Sequence, residues 1–412
     1  MKRILLLLTI LALLAVSVAM VSAQDCADEL GCVVLESDDP VTIAYMLALS
    51  GAVAPYGEDS KGAIEIAVDD RGGMILDREI ELVAEDELCS AEGGQAAAQK
   101  VAADDMIVAV IGTTCSGAAT GALPIISEAG LLMISPANTS PFLTSPDTEN
   151  NGVWQPGYYR TGHNDLIQGR IAAEYAFNEL GLTKLATIHD GDAYTDGLQQ
   201  AMADAFAALG GEVVFQGAVN KGDTDMTAIL TEVAASGAQV LYFPLFEPEG
   251  PFIASQVGTT DGLDELILFG ADGLFTNTFA PSAGERAAGM YMSSPRVTGE
   301  RYDELLQKWE DKFGGTPPSG FHAHAYDATN MLLDAIEAVA VANDDGTVVI
   351  GRQALRDALT NTVNFDGITG GLTCTEYGDC ATGEALAIYQ LSEAQVAGEW
   401  PPAVVWSPAD AE

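Results

Sequence analysis

The chain has 412 residues, 48% of them hydrophobic and 19% charged, and its 60 Asp and Glu against 17 Lys and Arg give a formal net charge of −43. That length suits about two domains with real cores, and the apolar fraction excludes a disordered acidic tail. The charge excludes nucleic acid and an anionic membrane surface as partners, because both carry the same sign.

The N-terminus predicts export. Lys2 and Arg3 precede an apolar run from Ile4 to Val21, broken only by Thr9 and Ser17, and Val21-Ser22-Ala23 offers small residues for cleavage before Gln24. An uncleaved anchor is the rival reading, since the run approaches spanning length. Residues 1–23 are read as a signal peptide and 24–40 as an N-terminal segment. The mature chain is expected outside the cytoplasm, periplasmic or extracellular, where disulfides persist. Its six cysteines fall in three close groups, and Cys26–Cys32, Cys89–Cys115 and Cys374–Cys380 are the simplest pairs. No CxxC occurs and the His residues do not cluster with Cys, so no metal is expected.

From Val41 onward, strand and helix signals alternate. Val41–Leu47 reads as a buried strand, Ser60–Asp70 as a helix closed by Gly72-Gly73, Glu79–Ala84 as an alternating strand and Gly94–Ala103 as a helix. Ile107–Gly112 is a β-branched run typical of a parallel strand buried on both faces. A helix over Ser116–Ala129 and a strand over Leu131–Ser135 complete a doubly wound α/β unit. After a polar stretch from Asn150 to Gly162, a second α/β series begins. It has helices over Asp165–Leu180, Gly197–Leu209 and Asp225–Ala235, with strands over Lys184–His189, Glu212–Val219, Val240–Phe243 and Leu266–Phe269. The C-terminal part adds helices over Ala325–Val341 and Arg352–Leu359, a break at Gly367–Gly371 and a strand over Ala385–Gln390. Two sheets, each with its own helices, imply two lobes and a cleft.

The search for catalytic motifs is negative. There is no GxSxG, HExxH or GxxxxGK[ST], and four histidines are few for acid–base chemistry, so an enzyme is not expected and no cofactor is implied. His322-Ala-His324 has the wrong spacing for one helix face. Asp190-Gly-Asp192-Ala-Tyr194 resembles the start of a calcium loop, but Thr195 stands where that loop needs Gly. Binding chemistry is better supported. The strand ending in Gly-Thr-Thr-Cys-Ser116 opens a helix, whose N-terminus favours an anion such as a carboxylate. Ser135-Pro-Ala-Asn-Thr139 follows the next strand at the same sheet edge, where open α/β sheets bind ligands. Ser116 and Thr139 can equally be plain helix caps.

Several stretches together resemble the branched-chain amino-acid-binding proteins that serve ABC importers: Leu49–Gly57, Ala67–Gly73, Ile111–Ser116, Met133–Thr139, and Ile188-His-Asp190 with Tyr194. The resemblance spans about Val41 to Gln390. It implies an α/β fold of two Rossmann-like lobes joined by three hinge crossovers, with the ligand in the inter-lobe cleft. The crossovers are placed near Arg160–Gly162, Ser293–Pro295 and Gly367–Gly371. Lobe 1 then holds 41–160 plus 295–366, lobe 2 holds 161–294 plus 367–406, and 407–412 is a tail. The resemblance also implies a disulfide at Cys89 and Cys115. It assigns the ligand carboxylate to Ser116, Thr139 and the backbone of Ala137, and the ammonium to Asp272. Tyr56, Tyr194, Phe246 and Phe321 take the aromatic positions around the ligand. Glu247, beside Phe246, departs from the family pattern and is the alternative ammonium partner. Implied partners are a small amino-acid-like ligand, by default leucine, isoleucine or valine, and the membrane subunits of an importer, with the chain itself a monomer. A ligand-binding sensor subunit for an amino acid or small amide is the alternative.

Overall fold

The computed structural model describes residues 26–381 and 385–408. The expected signal peptide and its cleavage site lie outside these residues, as do positions 409–412 of the tail. Among the described residues no helix is long and apolar enough to cross a membrane.

The first lobe is built on a six-stranded sheet in the order Met74–Ile75, Arg78–Asp86, Val41–Leu47, Ile107–Gly112, Met133–Ser135, Tyr158–Arg160. All pairs are parallel except the edge hairpin of Met74–Ile75 with Arg78–Asp86. Val41–Leu47 is buried at every position because both faces are covered. Ile43, Tyr45 and Leu47 join a core with Ala63 and Ile64 of the helix Ala54–Asp70 and Leu332 of the helix His322–Val339. Ala44 and Met46 point the other way, toward Ala97 of the helix Ala91–Ala102 and Ala119 of the helix Ser116–Glu128. Period-two alternation on a central strand thus divides one lobe into two cores.

The second lobe repeats the plan with seven strands. They run Ala403–Trp406, Leu386–Gln390, Tyr291–Pro295, Ile267–Gly270, Val240–Tyr242, Lys184–His189, Glu212–Ala218. Only the two strands nearest the C-terminal edge pair antiparallel. Leu185, Val240 and Tyr242 face Ile171, Met202 and Phe206 from the helices Asp165–Glu174 and Ala193–Ala208, while Ile188, Leu241 and Leu268 face the opposite core.

The polar stretch from Asn150 to Gly162 contains a strand, Tyr158–Arg160, that closes the first sheet. The N-terminal segment is also built in. Cys32–Leu35 pairs with Val348–Gly351, and the Asp28 carboxylate accepts the N–H groups of Gln353 and Ala354, both at 2.9 Å, at the start of the helix Arg352–Thr360. Those bonds hold the Asp28 carboxyl below its ordinary range against the opposing effect of burial. All three expected disulfides form: Cys26–Cys32, Cys89–Cys115 and Cys374–Cys380.

The chain leaves the first lobe after Arg160, returns after Pro295 through the helix Glu300–Phe313, and crosses a third time beyond Cys380. The third position differs from the expectation at Gly367–Gly371, and with it the assignment of 367–380 to lobe 2. Phe365–Gly367 and Gly370–Leu372 form a hairpin, and its turn donates the Ile368 and Thr369 N–H groups to Asp327 of the first lobe, both at 2.9 Å. Leu372, Cys374 and Cys380 lie in the first lobe's core. The reason is the fully buried Arg160 guanidinium, which needs a carboxylate and takes Asp379 at 2.5 Å. Backbone bonds from Arg160 to Gly378 and from Cys380 to Arg160 then lock this disulfide loop onto the edge strand.

Candidate functional site

In both lobes the carboxyl ends of the parallel strands face the cleft, and the loops leaving them carry its side chains. One small cavity there is lined by Tyr56, Thr114, Ser116, Ala137 and Phe321 from the first lobe and by Tyr194, Phe246, Asp272 and Gly273 from the second. Of the ligand residues expected from sequence, all but Thr139 line it.

Ser116 opens its helix directly after the disulfide-bonded Cys115, and its Oγ accepts the Ser140 N–H at 3.3 Å. Ala137 lines the cavity, but its N–H already donates to Ser135 Oγ at 3.2 Å. Thr139 sits one layer deeper. Its hydroxyl is buried and makes no well-formed hydrogen bond, only a weak approach to the Asp165 carboxyl, and its carbonyl accepts the Asp165 N–H at 3.0 Å. The helix N-terminus does attract an anion, but at Gly117 that anion is a protein carboxylate. Asp192 of the second lobe accepts the Gly117 N–H at 3.1 Å and the Lys221 ammonium at 2.7 Å. A side chain at Gly117 would collide with it, because a Cβ there would stand 2.1 Å from Asp192 Oδ2. The supposed calcium loop thus supplies a cap and a latch: Asp192 also accepts the Tyr194 N–H at 3.0 Å.

Asp272 sits just beyond the strand Ile267–Gly270 and is buried. Its Oδ1 accepts from Tyr194 Oη at 3.0 Å and from Gln168 Nε2 at 2.7 Å. Tyr194 Oη in turn accepts the Gly273 N–H at 2.9 Å, and Tyr56 Oη crosses the cleft to the Gly273 carbonyl. Phe246 packs between the two tyrosines, 5.8 Å from Tyr56 and 5.0 Å from Tyr194 by ring centroids. Phe321 stacks on His163. Glu247 does not line this cavity. Its carboxylate is taken up by the hydroxyls of Thr276 and Thr278.

The sequence reading missed Asp165, His163 and Gln168. Asp165 looked like one more acidic residue at a helix start, yet the cap is Asn164, whose side chain accepts the Leu166 N–H at 3.0 Å. The Asp165 side chain is fully buried, and the one group offered to it is the Thr139 hydroxyl, at a geometry too poor for a full hydrogen bond. One atom each from His163, Asp165 and Asp272 lie within 4.8 Å of one another, a geometry that suits a cation. Burial raises both carboxyls above the ordinary Asp range, and the Asp272 charge raises Asp165 further. Burial pushes His163 down to about 4, so it is neutral at pH 7. The only local signal in the sequence was the spacing Asp165-x-x-Gln168 after Arg160, which means little until Asp272 folds against it. His322 and His324 do not act together: His322 lies between Asp59 at 3.0 Å and Tyr302 at 2.9 Å, and His324 is buried with a pKa pushed down to about 3.

The chain matches the model of the periplasmic binding protein family over residues 40–395. It belongs to that family. This periplasmic binding protein is 28% identical over 362 residues to "Leu/Ile/Val-binding protein homolog 3" of Brucella melitensis, covering 87% of the chain and 93% of that relative. It is 31% identical over 303 residues to an "Amino acid binding protein" of Pseudomonas aeruginosa, covering 72% and 77% respectively. Its fold resembles that of the leucine-binding protein LivK of Thermotoga maritima (TM-score 0.75, 23% identity, 90% of this chain and 99% of that one). A solute-binding protein of R. palustris solved with benzoate is also similar (TM-score 0.73, 20% identity, 90% and 96%).

Proposed function

We propose that this periplasmic binding protein captures a neutral α-amino acid in its cleft and presents it, with the lobes closed, to the membrane subunits of an ABC importer. Leucine, isoleucine and valine are the first candidates, as the names of the relatives suggest. In this reading the chain is an exported monomer that binds without turning over its ligand.

One observation carries the proposal: the cavity sets hydroxyls at a helix N-terminus on one side against a buried carboxylate on the other. Ser116 at the wall takes the ligand carboxylate, the Ala137 N–H exchanges its bond to Ser135 Oγ for one to the ligand, and the Thr139 hydroxyl supports them from the layer behind. Asp272, with Asp165 behind it, takes the ammonium. Tyr56, Tyr194, Phe246 and Phe321 enclose the side chain. Two buried carboxylates near one cavity disfavour a plain anion such as benzoate and favour a ligand that brings positive charge. The two charged ends of a zwitterion engage different lobes, so its binding energy draws them together.

The test has two parts. Mass spectrometry of material released from the purified, denatured protein should identify a neutral amino acid. Calorimetry should then show binding of L-leucine and no measurable binding of 4-methylpentanoate, which keeps the carboxylate and side chain but lacks the ammonium. Equal affinity for the two compounds would overturn the ammonium site.

A further inference from the structure

Three buried side chains of the second lobe meet at the ligand cavity's wall and behind it. One nitrogen of His163 and one oxygen each of Asp165 and Asp272 lie within 4.8 Å of one another. His163 is 3% exposed, Asp165 0% and Asp272 4%. Two groups that cover them come from the first lobe. The Phe321 ring stacks on His163, and the Thr139 hydroxyl approaches Asp165. Separation of the lobes lifts that cover and gives an ion its way in.

The surrounding hydrogen bonds decide which His163 nitrogen is available. Gln168 Nε2 donates to Asp272 Oδ1 at 2.7 Å and to the carbonyl and hydroxyl of Ser293, both at 3.0 Å. The Gln168 amide oxygen is left to accept, so His163 Nε2, which bonds it, carries the ring's proton. Burial keeps the ring neutral, with its pKa pushed down to about 4. Nδ1 is then a bare lone pair, buried and without a hydrogen-bond partner among the described residues. A neutral imidazole whose other N–H is tied to an outer acceptor is the usual form of a metal-bound histidine. Asp272 is oriented in the same manner, by the Tyr194 hydroxyl at 3.0 Å and by Gln168.

Charge and donor type narrow the ion. An ammonium balances one of two buried carboxylates, whereas a divalent cation balances both and leaves no buried charge over. An imidazole together with carboxylates suits zinc and other first-row ions, while calcium and magnesium take oxygen donors. We propose that His163 Nδ1, Asp165 and Asp272 form a site for a divalent first-row transition ion such as zinc, and that this ion and the ligand's ammonium compete for Asp272. The site stands on these side chains alone, and the competition rests on the ammonium reading above. No sequence motif announces the site, because Asp272 reaches the other two only through the fold.

Zinc alone tests the site. Untagged protein, stripped with a chelator and freed of amino acid, should bind Zn²⁺ saturably in calorimetry at neutral pH. His163→Gln and Asp165→Asn should each lower that affinity at least about tenfold, and His189→Gln, which changes a part-exposed histidine outside the cluster, should not. Co²⁺ in place of Zn²⁺ should give visible absorption bands that His163→Gln abolishes. In melts of stripped protein Asp165→Asn should lie above the wild type, and added Zn²⁺ should raise the wild type while leaving the variant unmoved. Absence of saturable binding, or binding untouched by both cluster substitutions, would overturn the site. For the competition, saturating Zn²⁺ should lower leucine affinity in the wild type and have no effect on it in His163→Gln. Leucine affinity unchanged with Zn²⁺ bound would overturn the competition. A wild type that takes up Zn²⁺ but never leucine would overturn the ammonium reading and leave the metal site standing.

Discussion

The Asp192 carboxylate of the second lobe accepts the Gly117 N–H of the first lobe at 3.1 Å, and its other oxygen holds Lys221, which reaches back to the Cys89 carbonyl at 3.3 Å. These four residues form a latch beside the ligand cavity. Ser140 Oγ adds a bond to the Ala193 carbonyl at 2.7 Å. The closed form is therefore supported by the protein's own groups before any ligand contributes.

Gly117→Ala should keep the lobes from closing fully, because the new Cβ would meet Asp192 Oδ2 at 2.1 Å. The fold of each lobe should survive. Small-angle scattering should show a radius of gyration that no longer shrinks with amino acid, and calorimetry an affinity at least about tenfold lower. A wild-type response in both measurements would mean that the latch is dispensable.

Ser116→Ala and Thr139→Ala should each weaken leucine binding about tenfold or more, since a hydrogen bond to a charged group is worth about 1.5–3 kcal/mol. Thr139 is the sharper case. Its hydroxyl makes no well-formed hydrogen bond, so its removal should cost the free protein little, and the effect should appear in titration calorimetry rather than in the melting temperature.

Asp272→Asn and Asp165→Asn separate the two buried carboxyls. Asp272 lines the cavity and Asp165 lies behind it, so the Asp272 substitution should reduce leucine affinity more. Asp165→Asn removes a carboxyl that burial and the Asp272 charge both disfavour ionising and should raise the melting temperature of the ligand-free protein at neutral pH. A lowered melting temperature would show that Asp165 is neutralised in the free state by a partner of its own.

Binding should release protons in mildly acid solution. Burial places both carboxyls above their unfolded range, so the ligand-free fold loses their favourable contribution as pH rises through the raised values. An ammonium beside Asp272, with Asp165 behind it, favours the ionised form. The bound state then holds fewer protons than the free one, and affinity climbs with pH across that interval. Calorimetry in buffers of different ionisation heat should detect the released protons, and a buffer-independent heat would contradict the assignment.

Replacing Cys89 and Cys115 together by Ser should cost about 3–4 kcal/mol in the chain-entropy view of loop closure. It should also loosen the start of the helix that carries Ser116, because Cys115 is that helix's N-cap residue. Thermal melts would register the first effect and leucine affinity the second.

Much of the molecule was legible from the chain alone. Ile107–Gly112 is apolar throughout and Val41–Leu47 is broken only by Thr42, and that pattern has few outcomes other than a strand covered on both faces. Glu300–Phe313 was not read although its apolar face is clear, because Arg, Asp, Glu and Lys dominate its composition and only Leu305 and Trp309 are buried. Tyr158–Arg160 was missed for the opposite reason. Three residues are too few to show a period, and its edge is completed by Gly378 to Cys380, more than two hundred positions away. The same distant pairing displaced the third crossover, since the glycines at 367–371 announce a turn but not which lobe it serves. The cleft aromatics and hydroxyls lie in recognisable stretches. Asp165 and His163 gain their meaning only from Asp272, which a local reading of the sequence cannot bring to them.

The pairing of Cys32–Leu35 with Val348–Gly351, and the Asp28 cap on the helix Arg352–Thr360, have a practical corollary. Anything joined ahead of Cys26 travels with the first lobe alone. The strand Ala403–Trp406 belongs to the second lobe's sheet, so anything joined beyond it travels with the second. A donor fluorophore at one end and an acceptor at the other would ride on opposite jaws, and the transfer of excitation between them would report the cleft's position without a label near the ligand.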